Sequence, residues 1–186
     1  MNLSLKNIVS IQSGIYCPTV PDGDTYYLQV KDFDANGTLS DVLQPSIIYK
    51  DKQQKHLLQI GDLLFASKGT TNFCTIYNME ADKKAVASSA FFVLRMQSTN
   101  ILPAYICWFL NLPATLQMLR ENERGRITPI ITKSMIEELN IPIPSIEVQD
   151  IIININQLQE EEEELHKAIY SRKKLLTNKL LIKAIK

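Results

Sequence analysis

The segment that follows Pro144 carries apolar side chains at steps of three and four residues. These apolar positions are Ile151, Ile155, Leu158, Leu165, Ile169, Leu176 and Leu180. The spacing is typical of one face of an α-helix, and the segment contains neither glycine nor proline. The pattern therefore predicts a single helix over residues 146–186, capped by Ser145 and roughly 60 Å long.

The apolar face of this helix is narrow, and charged residues interrupt it at Glu162 and Arg172. A narrow face of this kind is typical of a coiled-coil seam rather than of a helix packed on a domain core. All seven acidic residues of the segment lie within 147–164, whereas all seven basic residues lie within 167–186. Antiparallel pairing sets acids against bases, so we expect an isologous homodimer.

A two-fold axis near Lys167 would bring Leu158 toward Leu176 of a second copy, and Glu162 toward Arg172. We therefore predict that the apolar positions of the helix, together with Glu162 and Arg172, form an antiparallel dimer interface. Two alternatives stay open at this point. The charge run can be a solvated helix face, and a different chain with a similar helix satisfies the same seam.

Short β-rich runs alternate with turn sequences before residue 145. The runs are Thr25–Val30, Ser46–Tyr49, Leu63–Ala66, Cys74–Tyr77 and Ala90–Leu94. Asp-Gly, Asn-Gly and Lys-Gly-Thr-Thr-Asn sequences separate them, and these are typical of tight turns and loops. The pattern predicts a strand-rich domain over residues 1–145.

Helices are expected near the end of this domain. One begins at Pro103, a second runs from Pro113 to about Glu121, and a third begins at Ser134, where Glu137 completes a capping box. The fold class is therefore α+β, with a strand-rich domain followed by one long helix that pairs as an antiparallel coiled coil. We interpret Pro142 and Gln149 as structural residues that determine where the long helix starts.

The composition indicates a folded chain without an overall charge bias. Twenty acidic and twenty basic side chains give zero net charge, so any nucleic-acid surface has to be local. The sequence contains neither an apolar run of about 20 residues nor a secretory signal pattern, which favours a cytoplasmic protein. Cys17, Cys74 and Cys107 are odd in number and far apart, so we expect buried thiols rather than disulfides or a zinc site.

Two segments resemble the specificity subunit of type I restriction-modification systems. GDLLFASKGTT, residues 61–71, resembles the Gly-Asp-Ile-Leu strand and Ser/Arg-Gly loop of that family. IPIPSIEVQDII, residues 141–152, resembles the entry to the family's conserved helix. The similarity runs almost from end to end, and it implies a half-length version with one target recognition domain and one conserved helix.

The resemblance also implies a function and its partners. Two copies, or two different half subunits, would read a bipartite double-stranded DNA target while the helices set the spacing of the half-sites. The further partners would be a modification methyltransferase subunit and, through it, a restriction subunit. An interaction protein or vestigial half subunit, which pairs through its helix without binding DNA, is the alternative hypothesis.

Catalytic motifs are scarce in this sequence. With two histidines and without a nucleophile elbow, a phosphate-binding loop or metal-ligand spacing, we expect a non-catalytic subunit that holds neither cofactor nor metal. A magnesium-dependent nuclease site is the weak alternative, and it would combine Asp22 with the distant Asp82 and Lys84.

Candidate DNA-binding residues lie in polar and basic segments. The predicted contacts are Ser67, Lys68, Gly69, Thr70, Thr71, Asn72, Lys50, Lys52, Arg124, Arg126, Lys31 and Tyr16. The loop at 67–72 is the strongest candidate, because its side chains can donate to phosphates and base edges and Gly69 allows close backbone approach. Lys55 and His56 extend the basic stretch that starts at Lys50. Ordinary loop solvation or surface ion pairing is the alternative for each group.

Overall fold

The computed structural model describes residues 1–34, 37–40, 42–69, 71–80, 82–121 and 130–185, with the backbone alone for Lys52. The strands within these ranges are β1 (Asn2–Ser4), β2 (Val9–Ser13), β3 (Tyr26–Leu28), β4 (Leu63–Ala66), β5 (Cys74–Ile76), β6 (Ala85–Ala87), β7 (Phe91–Met96) and β8 (Asn140–Pro142). The α-helices are α1 (Pro103–Asn111), α2 (Pro113–Glu121), α3 (Lys133–Glu137) and α4 (Ile146–Ala184). Short 3₁₀ helices cover Leu5–Asn7, Val30–Asp32 and Asp51–His56. The predicted α+β class, with strands followed by a long helix, is confirmed.

An antiparallel sheet of four strands, in the order β2-β7-β4-β5, forms the centre of the fold. All four residues of β4 are buried, because this inner strand is covered on both faces. Such a strand needs apolar residues at consecutive positions, which explains its Leu-Leu-Phe-Ala sequence. Leu63 and Phe65 belong to a core shared with α1, α2 and α3, whereas Leu64 and Ala66 belong to a second core around Phe91.

Two shorter sheets of the described chain connect segments that are distant in sequence. β3 and β6 pair in parallel, and the turn after β6 leads directly into β7. β1 and β8 pair antiparallel with Leu3 opposite Ile141, which ties the N-terminal residues to the segment before α4. Pro142 fits in β8 because this strand has a single neighbour, so a missing amide donor disrupts no central ladder.

The helix α4 starts at the predicted residue and extends away from the domain. It has 39 residues, which corresponds to about 58 Å. Its first turns pack on the domain, where Gln149 is fully buried and Ile152 and Ile153 join the main core. Every residue from Gln157 to Ile185 is exposed. The predicted long helix is therefore confirmed, while its pairing with a second copy stays a prediction.

One predicted strand is wrong. The run Ser46–Tyr49 forms only an isolated bridge, between Ile47 and Thr25. The amide of Tyr49 donates to the Asp24 carboxylate at 2.7 Å instead of to a neighbouring strand. A side chain therefore takes the hydrogen bond that a strand ladder would need.

The other four strand predictions coincide with β3, β4, β5 and β7. Sequence reasoning missed β1 and β8, whose Asn-Leu-Ser and Asn-Ile-Pro sequences contain residues that are rare in strands, and β6, whose Ala-Val-Ala sequence has low strand propensity. It also missed β2, although the sequence Val-Ser-Ile-Gln-Ser alternates as a half-covered strand does.

The caps of two helices differ in detail from the prediction. Thr132, not Ser134, is the N-cap of α3, and its hydroxyl oxygen accepts a hydrogen bond from the Met135 amide at 3.4 Å. Ser145 occupies the N-cap position of α4 as predicted, but its hydroxyl accepts no bond from a helix amide. It instead bonds to the Glu147 carboxylate and, as the largest cause, lowers the pKa of that group.

All three cysteines are thiols. Cys17 and Cys74 are buried, as predicted, and Cys107 is half-buried. Burial raises the pKa of the Cys74 thiol well above its ordinary value, and the neighbouring Cys107 thiol adds to the effect. The Cys74 thiol is therefore protonated and unreactive near neutral pH.

Candidate nucleic-acid interface

The turn between β6 and β7 joins two segments that carry predicted DNA-binding residues. Its Ser88 amide donates to the Leu28 carbonyl at 2.8 Å, at the end of β3 and just before the 3₁₀ helix that contains Lys31. Ile15 forms a parallel bridge with Ser88, so the next residue, Tyr16, lies at the same end of the sheet. Tyr16 is 82% exposed, and Lys31 is exposed as well.

The same turn also holds the loop at residues 67–72. The Ala90 carbonyl accepts hydrogen bonds from the Ser67 amide at 2.9 Å and from the Ser67 hydroxyl at 3.0 Å. The loop follows β4, whose last residue pairs with the first residue of β7. One end of the central sheet therefore brings together Tyr16, Lys31 and the loop, which are far apart in sequence.

Within the loop, Lys68 and Thr71 are exposed. Gly69 has a φ of +112°, a backbone conformation that residues with a side chain rarely adopt. Among the described residues, apart from its chain neighbours, none has an atom within 4 Å of the position that a Cβ would take on Gly69. Its backbone is thus open to a ligand on that side.

Ser67 and Asn72 have a different role from the exposed loop residues. They are 1% and 4% exposed, respectively. The Asn72 amide nitrogen donates to the Ala66 carbonyl at 2.9 Å, and its side-chain oxygen accepts from Arg120 Nε at 3.0 Å. These two predicted DNA contacts therefore stabilise the loop from inside and do not extend from its surface.

The segment after residue 129 closes the loop from the other side. Lys68 forms an antiparallel bridge with Ile130, and the Ile131 amide donates to the Ser67 carbonyl at 3.0 Å. Ile131 is fully buried in the main core. The loop is thus attached both to the sheet and to the segment that leads into α3.

Four predicted contacts cannot be placed. Thr70, Arg124 and Arg126 lie outside the described residues, as does the side chain of Lys52.

The second basic stretch adjoins the segment of Tyr16. Gln53, which follows Lys50, is buried and donates to the Cys17 thiol at 3.1 Å. Lys50 itself is exposed. His56 contacts Gln12 on β2, and burial, together with Lys55, lowers the pKa of the imidazole. His56 is therefore neutral at pH 7 and adds no positive charge to this stretch.

Sequence reasoning missed Arg120. A basic residue in the last turn of a helix is ordinary, since it interacts favourably with the helix dipole. Arg120 is exposed at the end of α2. Only its contact with Asn72, across the tertiary structure, places it beside the loop.

The anchor of α4 lies at the opposite end of the domain. Gln149 Oε1 accepts from the Leu102 amide at 3.0 Å and its Nε2 donates to the Asn100 carbonyl at 3.3 Å, so it binds the N-terminal end of α1. At the C-terminal end of α1, Asn111 exchanges hydrogen bonds of 2.7 and 2.8 Å with the backbone of Cys74, just after the loop. The helix α1 thus separates the loop from the start of α4.

The predicted dimer interface on α4 is a continuous exposed face. Its apolar residues are Ile151, Ile155, Leu158, Leu165, Ile169, Leu176 and Leu180, with exposures between 48% and 64%. Glu162 lies 3.6 Å from His166 within the helix, and Arg172 is exposed. Apolar exposure of this extent on one helix marks an interaction surface.

One known protein family matches this chain over most of its length. The model of the type I restriction modification DNA specificity domain matches residues 6–172. The chain belongs to this family. The predicted resemblance is therefore confirmed, and it covers the loop and most of α4.

Solved structures give the same fold as the type I specificity family. A chain from a study of complex assembly and conformational transition of the type I R-M system is 18% identical, with a TM-score of 0.65. The HsdS subunit from Thermoanaerobacter tengcongensis is 18% identical, with a TM-score of 0.63. The type I restriction-modification S subunit from M. genitalium is 15% identical, with a TM-score of 0.56.

The matches cover 90%, 90% and 88% of this chain and 40%, 39% and 40% of the respective relatives. The specificity-family chain thus spans about two fifths of the length of these solved relatives. No curated protein matches the sequence. None of the described helices combines the length and apolar composition of a membrane span.

Proposed function

We propose that this chain is a DNA-recognition subunit of a type I restriction-modification system that binds a bipartite duplex target as a dimer. The observation that carries the proposal is the gathering of Tyr16, Lys31 and the 67–72 loop at one end of the sheet, around the turn between β6 and β7. Exposed lysine, threonine and tyrosine side chains can donate to phosphates and to base edges. Membership of the specificity family supports this interpretation.

The dimer is proposed to form through α4. Its apolar face is exposed over most of the helix, and acidic residues occupy one half while basic residues occupy the other. An antiparallel second copy would cover the face and match the charges. Two identical recognition domains would then bind a palindromic target. A dimer with a different half subunit would instead bind an asymmetric target.

The partners are proposed from the family. A modification methyltransferase subunit and, through it, a restriction subunit would supply methylation and cleavage, so the chain itself would be non-catalytic and would act in the cytoplasm. The described His, Cys, Asp and Glu side chains form no group of three that could hold a metal ion.

Binding to duplex DNA at two ionic strengths tests the function. We expect the full-length chain to bind a mixed-sequence duplex, with an affinity that falls at least tenfold between about 50 and 200 mM salt, because phosphate contacts release counterions. A bipartite target selected from a random duplex library should bind more tightly than the mixed sequence.

Lys68→Gln and Lys6→Gln form a matched pair for this test. Each removes one exposed charge, but Lys68 lies in the loop, whereas Lys6 precedes β2 at the opposite end of the sheet. We expect only Lys68→Gln to weaken binding. A dimeric chain that is indifferent to DNA would contradict the proposal and favour an interaction protein that pairs through its helix.

A further inference from the structure

Arg120 is held in place by a neutral partner. Its Nε donates to the Asn72 side-chain oxygen at 3.0 Å, and Asn72 is in turn fixed because its amide nitrogen donates to the Ala66 carbonyl at 2.9 Å. Asn72 is 4% exposed, whereas Arg120 is exposed. A buried amide at the base of the 67–72 loop thus orients an exposed guanidinium.

Arg120 forms no ion pair with a described residue. The ion pairs formed by described residues involve Lys83, Arg95, Lys133, His166 and Lys167, and Arg120 is not among them. Arg95 shows the contrast, since both of its bonds to the Asp62 carboxylate are shorter than 3 Å, at 2.8 and 2.7 Å. Arg95 is a structural cation, while Arg120 retains its charge and its terminal N–H donors for a ligand.

The position of Arg120 indicates which ligand this is. It lies near the end of α2 and contacts Asn72, the last residue of the loop, which also carries the exposed Lys68 and Thr71. A planar guanidinium with free terminal donors matches the oxygens of a phosphate group, and fixing Nε beforehand reduces the side-chain entropy lost on binding. Contacts at the base of a recognition loop set the register of the protein on the DNA backbone.

We propose that Arg120 is a phosphate-binding residue for the backbone of duplex DNA, and that Asn72 is the positioning residue that orients it. This inference rests on the proposed DNA-binding function. The contact between Arg120 and a phosphate would then position the 67–72 loop over a base edge. The terminal nitrogens donate to the phosphate oxygens while Nε stays bound to Asn72.

The salt dependence of binding tests this assignment. Full-length wild type, Arg120→Gln, Arg120→Lys and Lys6→Gln are titrated with a fluorescent mixed-sequence duplex over a range of salt concentrations. We expect Arg120→Gln to reduce the slope of log affinity against log salt by about 0.9 per bound domain, which is the effect of one lost phosphate contact. Arg120→Lys keeps the charge and should retain most of the slope. Its binding should nevertheless be weaker than that of wild type, because lysine lacks the planar guanidinium that Asn72 orients.

Lys6→Gln controls for the loss of one positive charge elsewhere. It should leave the slope at the wild-type value, because Lys6 lies at the far end of the sheet and is separated from the loop by the domain. A slope for Arg120→Gln equal to that for Lys6→Gln would overturn the inference while leaving the DNA-binding function intact. Wild-type protein that fails to bind any duplex would overturn the proposed function itself and, with it, the role of Arg120.

A selected target duplex separates phosphate binding from base reading. A phosphate contact predicts that Arg120→Gln loses the same factor in affinity on the selected duplex and on the mixed-sequence duplex. A loss confined to the selected duplex would identify Arg120 as a base reader and overturn the phosphate assignment. The thermal unfolding of Arg120→Gln should match that of wild type, since glutamine can still donate to Asn72 from an exposed position.

Discussion

The side chain of Gln149 anchors the long helix α4 to the domain. Gln149 is fully buried and uses both ends of its amide, accepting from Leu102 and donating to the carbonyls of Asn100 and Pro144. These three backbone groups lie in the connection before α1 and in the connection before α4. One side chain thus links the starts of two helices.

Replacing Gln149 by leucine tests this anchor. Leucine removes the three hydrogen bonds of a fully buried side chain to partly buried backbone groups, so we expect the free energy of unfolding to fall by about 2–4 kcal/mol. Chemical denaturation followed by circular dichroism measures the change. Gln157→Leu is the matched control, because Gln157 is exposed and bonds only to Glu161 along the helix. The control should change stability by less than about 0.5 kcal/mol, and an equal loss in both variants would argue against the anchor.

The polar side chains of the 67–72 loop differ in orientation. Ser67, Lys68, Thr71 and Asn72 are all polar residues in one short loop, and the sequence does not distinguish among them. In the structure Ser67 and Asn72 face inward and satisfy neighbouring groups, whereas Lys68 and Thr71 are exposed. Orientation depends on which partners the rest of the fold supplies, and these come from the turn before β7, from β4 and from α2.

Among the single elements, α4 carries the sequence pattern on which the proposed dimer rests. Its charges are segregated along its length, and its apolar face is interrupted by Glu162 and Arg172. In an antiparallel pair with its axis near Lys167, each Glu162 faces Arg172 of the other copy. This contact occurs twice in a symmetric dimer, so a charge reversal acts twice.

We expect Glu162→Lys to weaken the dimer on the order of tenfold, because two attractive contacts become repulsive. Adding Arg172→Glu restores opposite charges and should recover part of the lost affinity. Sedimentation at several protein concentrations measures the dissociation constant. Glu164→Lys is the matched control, since residues two apart on a helix do not share a face. Equal effects of Glu162→Lys and Glu164→Lys would exclude the predicted seam.

At the scale of the whole molecule, the loop and the start of α4 lie at opposite ends of α1. Asn111 ties the C-terminal end of α1 to the strand after the loop, while Gln149 ties its N-terminal end to α4. A dimer through α4 would therefore hold two recognition surfaces apart, on the far side of each domain. The length of the helix would determine the separation of the half-sites.

Inserting one heptad next to Lys167 tests this spacing. Seven residues preserve the seam and lengthen each helix by about 10.5 Å, so the two domains should no longer match the half-sites of a target selected with the wild type. We expect affinity for that bipartite target to fall on the order of 100-fold, because simultaneous engagement is lost. The affinity of this variant for a duplex with one half-site should stay unchanged. If its affinity for the bipartite target also stayed unchanged, α4 would not determine the spacing of the half-sites.

Features that depend on a local pattern were predictable from the sequence alone. A period of three to four residues and the absence of helix breakers define α4, and a continuous apolar run defines the inner strand β4. The motifs at residues 61–71 and 141–152 were sufficient to indicate the family. Each of these signals lies in one uninterrupted stretch, where neighbouring residues share one environment.

Contacts between residues far apart in the chain depend on the tertiary structure. The pairing of β1 with β8, the turn that joins Tyr16, Lys31 and the loop, and the contact of Asn72 with Arg120 all join residues far apart in the chain. No local pattern encodes such contacts, because burial and hydrogen bonding of a polar side chain depend on partners that folding brings to it. The helix and the family were thus predictable from the sequence, whereas the composition of the proposed DNA-binding surface was not.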